Sequence, residues 1–322
     1  MRSLKTYGYL ALDFWRYLRG KDYFRQPQGL GPHFRDARCY YNDLTGKALW
    51  DGEVKDGVPV LYLPSLGKSV ANPCTVLLWG LGSLDRYFLE GEVGYLDNAG
   101  RAAHWLVDHV LPAGYWEEDI NASDPSHEYY SGNSCMNQGL ALSFLTRIIK
   151  NELLDPGLRL ELDALTRRVA ETMLHPLELG GTARERGEDL YLYEFARMDE
   201  CVVFNGWVYG LFGLWDHARR TADPLTQRQL DRSLATLKRA LPLFVRSDGW
   251  SYYDTGRRLA SPFYHDLHIS LLEALHLLTG ERAFREQMQA FQKGNSRMNR
   301  AWYTLNKIKD KLFDKELYSS QA

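Results

Sequence analysis

The sequence predicts a mainly α protein, an α/α barrel (toroid) with a small irregular or β-hairpin N-terminal arm. Two observations support this fold class. From residue 72 onward, apolar residues recur with helical periodicity in successive segments of similar length, whereas residues 21–70 hold most of the turn signals. Each helix must bury its apolar face against neighbours, and an annular pairing of helices does this. Periodicity predicts the helices and leaves closure of the ring open.

The elements divide the chain into an arm and a barrel. Residues 1–20 have a helical pattern, and the run Val58–Leu63 can pair as strands. We therefore expect residues 1–70 to form an N-terminal helix and an irregular or β arm, and residues 71–322 to form the barrel. The predicted helices of the barrel are NPCTVLLWGLGSLDRYFLEG, AGRAAHWLVDHVLP, NSCMNQGLALSFLTRIIKNELL, residues 158–175, CVVFNGWVYGLFGLWDHARRT, TQRQLDRSLATLKRALPLF, HDLHISLLEALHLLTG, ERAFREQMQAFQKG and the basic C-terminal segment.

Composition narrows the functional classes. The formal net charge of −2 argues against a nucleic-acid partner, because phosphates demand a basic surface. The four cysteines show no CxxC spacing, so we expect free thiols and no zinc site. The sequence has no Gly-rich phosphate loop and no HExxH motif, and we expect no metal and no cofactor. The chain has 20 Tyr and 9 Trp, whose flat apolar faces and polar handles suit sugars, although aromatic residues also fill large cores.

The two ends of the chain bear on location and assembly. The start lacks the apolar core and cleavage site of a secretory signal, and no stretch is apolar enough for a transmembrane helix, so we expect a cytoplasmic protein. The N-terminal segment and the C-terminal AWYTLNKIKDKLFDKEL are amphipathic and carry lysine and arginine. Either can lie on a membrane surface, which would make the protein membrane-peripheral. Packing against the domain or a second subunit, as in a homodimer, is the favoured use.

The segment Trp250–His268 concentrates polar and aromatic chemistry, with three tyrosines, two arginines and two histidines in nineteen residues. Its turn signals predict that Tyr253 and Tyr264 flank a loop, and that His265 and His268 lie on one face at the start of a helix. A nearby arginine favours a phenolate, which makes a tyrosine a usable base. The alternative is that these residues are structural hydrogen-bonding groups at a loop–helix junction.

Polar residues also interrupt two apolar helices. Glycine at position 206, inside an apolar helix, costs about 1 kcal/mol relative to alanine. Two explanations of this glycine fit equally well: the Asn205-Gly206 pair faces a cavity, or two helices approach each other closely there. Tyr209 lies four residues after Asn205 and hence on the same face. The segment Ser134–Gly139 has two interpretations. Either Gln138 directs its side-chain amide into the barrel, or the segment is only a helix start that Ser134 caps.

Together these segments resemble the C-terminal catalytic domain of D-glucuronyl C5-epimerases. The matching motifs span roughly residues 70–290 in the family's order, and they are Asn72-Pro73 before WGLGSLDRYF, SCMNQGLALSFLTR, VVFNGWVYGLFGLWD, YYDTGRR and FYHDLHISLLEALHLL. The resemblance implies an isomerase that inverts C5 of uronate residues in a polysaccharide, of the glucuronate-to-iduronate type. One group removes the C5 proton, another returns a proton on the opposite face, and an arginine stabilises the charge.

The resemblance assigns roles to residues of this sequence. Tyr253 matches the tyrosine that begins the family's Tyr-Asp-x-Arg segment, and Tyr264 matches the tyrosine before its histidine-rich helix. Both are therefore expected to move the C5 proton. Arg257 is the expected carboxylate-neutralising residue, although one extra residue separates it from Tyr253, and Arg258 is its competitor. The implied substrate-binding residues are Asn205, Tyr209, Gln138, Glu194, His265, His268 and Arg258.

One position departs from the family's pattern. The family has a third tyrosine after a Glu-Glu pair, and counting back from the Asn-Gly helix without gaps places Phe195 there and Glu194 before it. Tyr191 and Tyr193 lie just upstream, and either could supply the hydroxyl after a small loop shift. If neither does, one catalytic tyrosine is missing.

Three alternatives remain open from the sequence. A polysaccharide lyase shares the proton abstraction and then expels the C4 substituent. A non-catalytic carbohydrate-binding relative is motivated by Phe195. A glycoside hydrolase would need paired carboxylates across a cleft, for which Glu194 with Asp254 or Asp266 is a speculative pair. In each case the expected partner is a uronate-containing polysaccharide.

Overall fold

A computed structural model describes residues 23–36, 38–63, 68–117, 132–195 and 201–313. The helix predicted for residues 1–20 lies outside this range. The described residues form nine α-helices and three two-stranded hairpins, which confirms the mainly helical prediction. The helices are α1 (Pro73–Glu90), α2 (Val93–His109), α3 (Cys135–Lys150), α4 (Pro156–Leu174), α5 (Phe204–Thr221), α6 (Pro224–Ala240), α7 (Pro262–Thr279), α8 (Arg282–Gly294) and α9 (Arg297–Phe313).

Local capping chemistry explains where these helices begin and end. The Asn72 side chain accepts a hydrogen bond from the backbone N–H of Thr75 (3.2 Å) at the start of α1. The same helix ends at Gly91, which has a left-handed φ of 74° as the sequence predicts. The start of α2 was predicted too late, at Ala99 rather than Val93. Its first six residues bury no side chain, so they show no apolar periodicity.

Three hairpins lie outside the helices. Strands β1 (Val54–Lys55) and β2 (Val58–Pro59) form one, and β3 (Leu61–Leu63) and β4 (Lys68–Val70) form the next. The predicted strand over residues 58–63 is therefore confirmed, but it is divided between two hairpins. The third hairpin, β5 (Ala183–Arg186) with β6 (Asp189–Leu192), was not predicted.

The helices pack in two layers. Helices α1, α3, α5 and α7 contact one another in succession, and each also packs against the helix that follows it in the chain. Glycines let helices α3 and α5 approach closely. A Cβ on Gly139 would lie 2.6 Å from the carbonyl carbon of Tyr209, and a Cβ on Gly213 would lie 2.8 Å from the carbonyl carbon of Gly139. This alternation of inner and outer helices is the arrangement of an α/α barrel.

A buried ion pair holds the arm against the barrel. Arg147 on α3 donates to Asp216 on α5 (2.5 Å), and both side chains are buried. The Tyr41 hydroxyl donates to the same carboxylate (2.7 Å), and Arg147 also donates to the carbonyl of Cys39 (3.3 Å). The arm is thus bound through residues 39–41, while the domain boundary at residue 70 stays a prediction.

All four cysteines are free thiols, as expected. Among the described residues, none of the helices combines the length and the apolarity that a membrane crossing requires. The cytoplasmic location and the homodimer stay predictions.

Candidate functional site

The loop before α7 is tied to the start of α5, and this connection positions Tyr253. The Tyr253 backbone N–H donates to the carbonyl of Arg258 (2.6 Å), and its carbonyl accepts from the N–H of Phe204 (3.0 Å). A bridge between Val203 and Asp254 continues the pairing. The loop therefore carries Tyr253 to the N-terminal end of α5.

Tyr264 completes an aromatic pair. Ser261 caps α7 by accepting from the backbone N–H of Tyr264 (3.4 Å), so Tyr264 lies in the first helical turn. Its ring meets that of Tyr253 edge to face, with centroids 4.8 Å apart. The predicted placement of both tyrosines around the loop is confirmed. We call Phe195, Val203, Tyr253, Ala260 and Tyr264 the tyrosine cluster, a small apolar group that Tyr264 connects to the main core.

Glu194 is a buried carboxylate beside this cluster, with 4% of its surface exposed. A Cβ on Gly206 would lie 2.6 Å from the Cβ of Glu194, so the glycine makes room for the glutamate. The contact with Glu194 therefore explains the glycine at position 206, in place of a cavity or a close approach of two helices. The charge of Glu194 raises the pKa values of both Tyr253 and Tyr264.

Both cluster tyrosines are protonated at neutral pH. Burial is the largest cause of the raised pKa of Tyr253, which lies well above its ordinary value, and Arg258 only partly opposes it. Burial likewise raises the pKa of Tyr264. The expectation that a nearby arginine yields a phenolate is therefore wrong, because desolvation and the Glu194 charge outweigh the arginine.

Arg258 rather than Arg257 contacts the pair. The Arg258 guanidinium lies over the Tyr253 ring, 5.3 Å from its centroid, and forms an ion pair with the buried Asp254. Arg257 is exposed and has a φ of 65°, in the left-handed region. That turn directs the chain so that the second arginine, and not the first, faces the ring.

The two histidines belong to the core and not to a substrate surface, which corrects their expected role. His265 stacks on Trp250 at 3.9 Å, and its Nδ1 accepts from the Ser251 N–H (3.1 Å) while Nε2 donates to the Phe291 carbonyl (3.1 Å). Burial lowers the pKa of His265 to about 4 and that of His268 well below its ordinary value. They lie on one helix face, as predicted, but that face points inward.

Neither candidate for the third tyrosine joins the tyrosine cluster. Tyr191 packs on Trp207 with centroids 5.3 Å apart and contacts Asp189 through its hydroxyl, and Tyr193 belongs to the main core. Phe195 packs against Tyr253 and Tyr264 instead. The alignment of Phe195 with the family's third tyrosine stays a prediction.

Comparison with known proteins identifies the family. The model described as D-glucuronyl C5-epimerase C-terminus matches residues 126–293, just over half of the chain.

The chain belongs to the D-glucuronyl C5-epimerase family.

One curated protein and two solved structures are similar to this chain. A D-glucuronyl C5-epimerase from Caenorhabditis elegans is 25% identical over an alignment of 193 residues, and the match covers 53% of this chain and 30% of that protein. The matched region is thus less than a third of the relative's length. A D-mannose isomerase structure has a TM-score of 0.51 at 9% identity, covering 80% of this chain and 68% of its own, which shows the fold alone. A heparin-specific unsaturated glucuronyl hydrolase has a TM-score of 0.47 at 12% identity, covering 70% and 62%.

The arm, which lies outside the family match, adds two residues that the sequence did not reveal. Gln28 is buried, and its Oε1 accepts from the Asn42 side-chain amide (2.7 Å) and from the Tyr209 hydroxyl (3.5 Å). Tyr209 in turn lies within electrostatic range of Tyr264 and Glu194, and burial raises its pKa. No local motif marks Gln28 or Asn42, because only the packing of the arm brings them here.

Gln138 and Asn205 are buried in the inner helices. The Gln138 amide donates to Asn133 (3.0 Å) and to the Gly114 carbonyl (3.3 Å), so it is held by neighbouring loops. Ser134 caps α3, as its alternative interpretation predicts, by accepting from the N–H of residue 137. The Asn205 amide contacts the Met136 sulfur at 3.8 Å, and its substrate-binding role stays a prediction.

Proposed function

We propose that the chain is a C5-epimerase of uronate residues in a polysaccharide, of the glucuronate-to-iduronate type. The observation that carries the proposal is a buried carboxylate, Glu194, beside two protonated tyrosines, the buried Tyr253 and the partly buried Tyr264. Inversion at C5 needs one group that accepts a proton and another that donates one. A carboxylate and a phenol meet these two requirements.

In the proposed reaction, Glu194 accepts the C5 proton. The C5–H bond breaks, the proton moves to a Glu194 oxygen, and the electron pair delocalises into the uronate carboxylate. Arg258, at Tyr253, supplies the positive charge that stabilises this anion. Tyr253 or Tyr264 then donates its hydroxyl proton to the opposite face of C5, and the proton on Glu194 passes back to the phenolate.

The raised tyrosine pKa values support donation over abstraction. A tyrosine held well above its ordinary pKa is a poor resting base, but its phenol is present at all physiological pH values. The tyrosines therefore keep the proton-transfer role expected from the sequence, with the direction of transfer reversed for the first step.

Solvent exchange tests the proposal. The full chain is incubated with a glucuronate polymer in deuterated water, and C5 deuterium and iduronate are measured by NMR. We expect Glu194→Gln to lose both C5 exchange and iduronate formation by about a hundredfold or more. Tyr253→Phe or Tyr264→Phe, whichever removes the proton donor, should lose iduronate formation by a similar factor, while Tyr62→Phe, at an exposed tyrosine of the β3 strand, retains both. Full exchange in Glu194→Gln, or full iduronate formation in both tyrosine variants, contradicts the mechanism.

The same incubation separates the alternatives. An ultraviolet-absorbing unsaturated product would assign the chain as a lyase. Polymer binding without exchange or cleavage would assign it as a carbohydrate-binding relative, for which Phe195 in place of a third tyrosine is the motivating observation.

A further inference from the structure

Helix α9 is fixed to the barrel through one face. Tyr303 is buried, stacks on Trp250 with centroids 4.1 Å apart, and donates its hydroxyl to Asp248 (2.7 Å). One turn earlier, Arg300 forms an ion pair with Asp266 on α7 (2.8 Å). These contacts fix the rotation of the helix about its axis and determine which side chains face outward.

The outward face carries an apolar stripe. Met298, Trp302 and Leu305 expose 79%, 47% and 66% of their surfaces. Their spacing of four and three residues places them on one side of the helix, opposite Tyr303. Single exposed apolar residues are common, but three in a row on one helix form a surface that water solvates poorly.

The same segment is strongly basic. Residues 293–313 contain six basic residues and one acidic residue, although the whole chain has a net charge of −2. Lys293 and Arg297 are exposed close to the start of the stripe, and the Arg246 guanidinium lies 5.5 Å from the centroid of the Trp302 ring. The apolar stripe is thus bordered by positive charge.

We propose that α9 docks on an anionic lipid surface, with Met298, Trp302 and Leu305 entering the headgroup boundary. An apolar face with tryptophan, combined with basic residues, matches the requirements of an interfacial helix. A second copy of the chain fits less well, because a two-fold contact would bring two basic helices together. Nucleic acid would satisfy the charge but would leave the stripe unburied.

Vesicle co-sedimentation of the full chain tests this docking. One set of vesicles is phosphatidylcholine alone, and the other contains about one third phosphatidylglycerol. We expect binding only to the anionic set, weakened by added salt. Leu305→Asp should reduce that binding by about tenfold to a hundredfold, whereas Leu160→Asp, at a 74% exposed position of α4, should not.

Each other outcome overturns the proposal. These outcomes are equal binding by the parent chain and Leu305→Asp, equal binding to both vesicle sets, and an absence of binding. Light scattering in solution tests whether a second copy of the chain binds the stripe instead. If the parent chain is a dimer and Leu305→Asp is a monomer, the stripe is a dimer interface. Unchanged thermal unfolding of both variants confirms that they are folded. The result is independent of whether the chain exchanges C5 hydrogen.

Discussion

Replacing Gly206 with alanine displaces Glu194 without removing any functional group. The new Cβ would lie 2.6 Å from the Cβ of Glu194, whereas ordinary van der Waals contact begins at 3.4 Å. Because the obstructing atom is close to the backbone of residue 194, a side-chain rotation cannot relieve the clash. Glu194 must shift by somewhat under 1 Å relative to Tyr253 and Tyr264, a displacement of the size that costs about a hundredfold in rate.

The stability effect of this substitution is expected to be small. Alanine gains about 1 kcal/mol of helix propensity over glycine inside α5. Overpacking against Glu194 costs about 1–3 kcal/mol. The free energy of unfolding should therefore fall by about 0–2 kcal/mol, which corresponds to at most about 3 °C in the unfolding midpoint of a chain of this size.

Two assays on one pair of variants separate these effects. Gly94→Ala is the matched control, since Gly94 lies in α2 with nothing within 4 Å of an added Cβ. We expect Gly94→Ala to keep C5 exchange and to gain slightly in stability, and Gly206→Ala to lose exchange at nearly unchanged stability. Full exchange by Gly206→Ala would refute the placement of Glu194 as the proton acceptor.

Three further predictions concern the ion pair, the buried histidines and the missing hydroxyl. Asp216→Ala leaves Arg147 buried without its carboxylate, so denaturant unfolding should show a loss of about 3–5 kcal/mol, and a loss below about 1 kcal/mol would contradict the pairing. His265 and His217 have folded pKa values lowered to about 4 by burial, below the unfolded value. Their contribution to the free energy of unfolding is therefore fully present above pH 6.5. It is lost as the pH falls toward 4, by up to about 1.4 kcal/mol per pH unit for each histidine. NMR chemical shifts showing that these two imidazoles become protonated near pH 6 would refute the lowered pKa values. Phe195→Tyr returns a hydroxyl to the tyrosine cluster, and C5 exchange should rise by up to about tenfold; an unchanged rate would show that two tyrosines suffice.

The helices could be predicted from the sequence because their signals are local. An Asn-Pro pair starts α1, a serine caps α7, and apolar residues recur at helical spacing between such ends. The β5–β6 hairpin escaped prediction because its four-residue strands are too short to show a period. The start of α2 escaped because an exposed first turn carries no apolar pattern.

The site was predicted in part. Tyr253 and Tyr264 were placed together, since a loop with turn residues at both ends returns on itself. The histidines were misassigned because a residue at the start of a helix can face either the loop or the core, and spacing alone does not distinguish the two. Gln28 and Asn42 could not be found, because their partner Tyr209 lies more than 160 residues away in the chain.

The sequence by itself determined the helical architecture, the family and the two tyrosines of the cluster, because caps, periodicity and motifs are properties of neighbouring residues. Only the tertiary structure decided the charge state of those tyrosines, the choice of Arg258 over Arg257, and the burial of Glu194 against Gly206. These depend on desolvation and on distances between segments remote in the chain. Burial overcame the arginine and kept the phenols protonated, and that balance has no local signature.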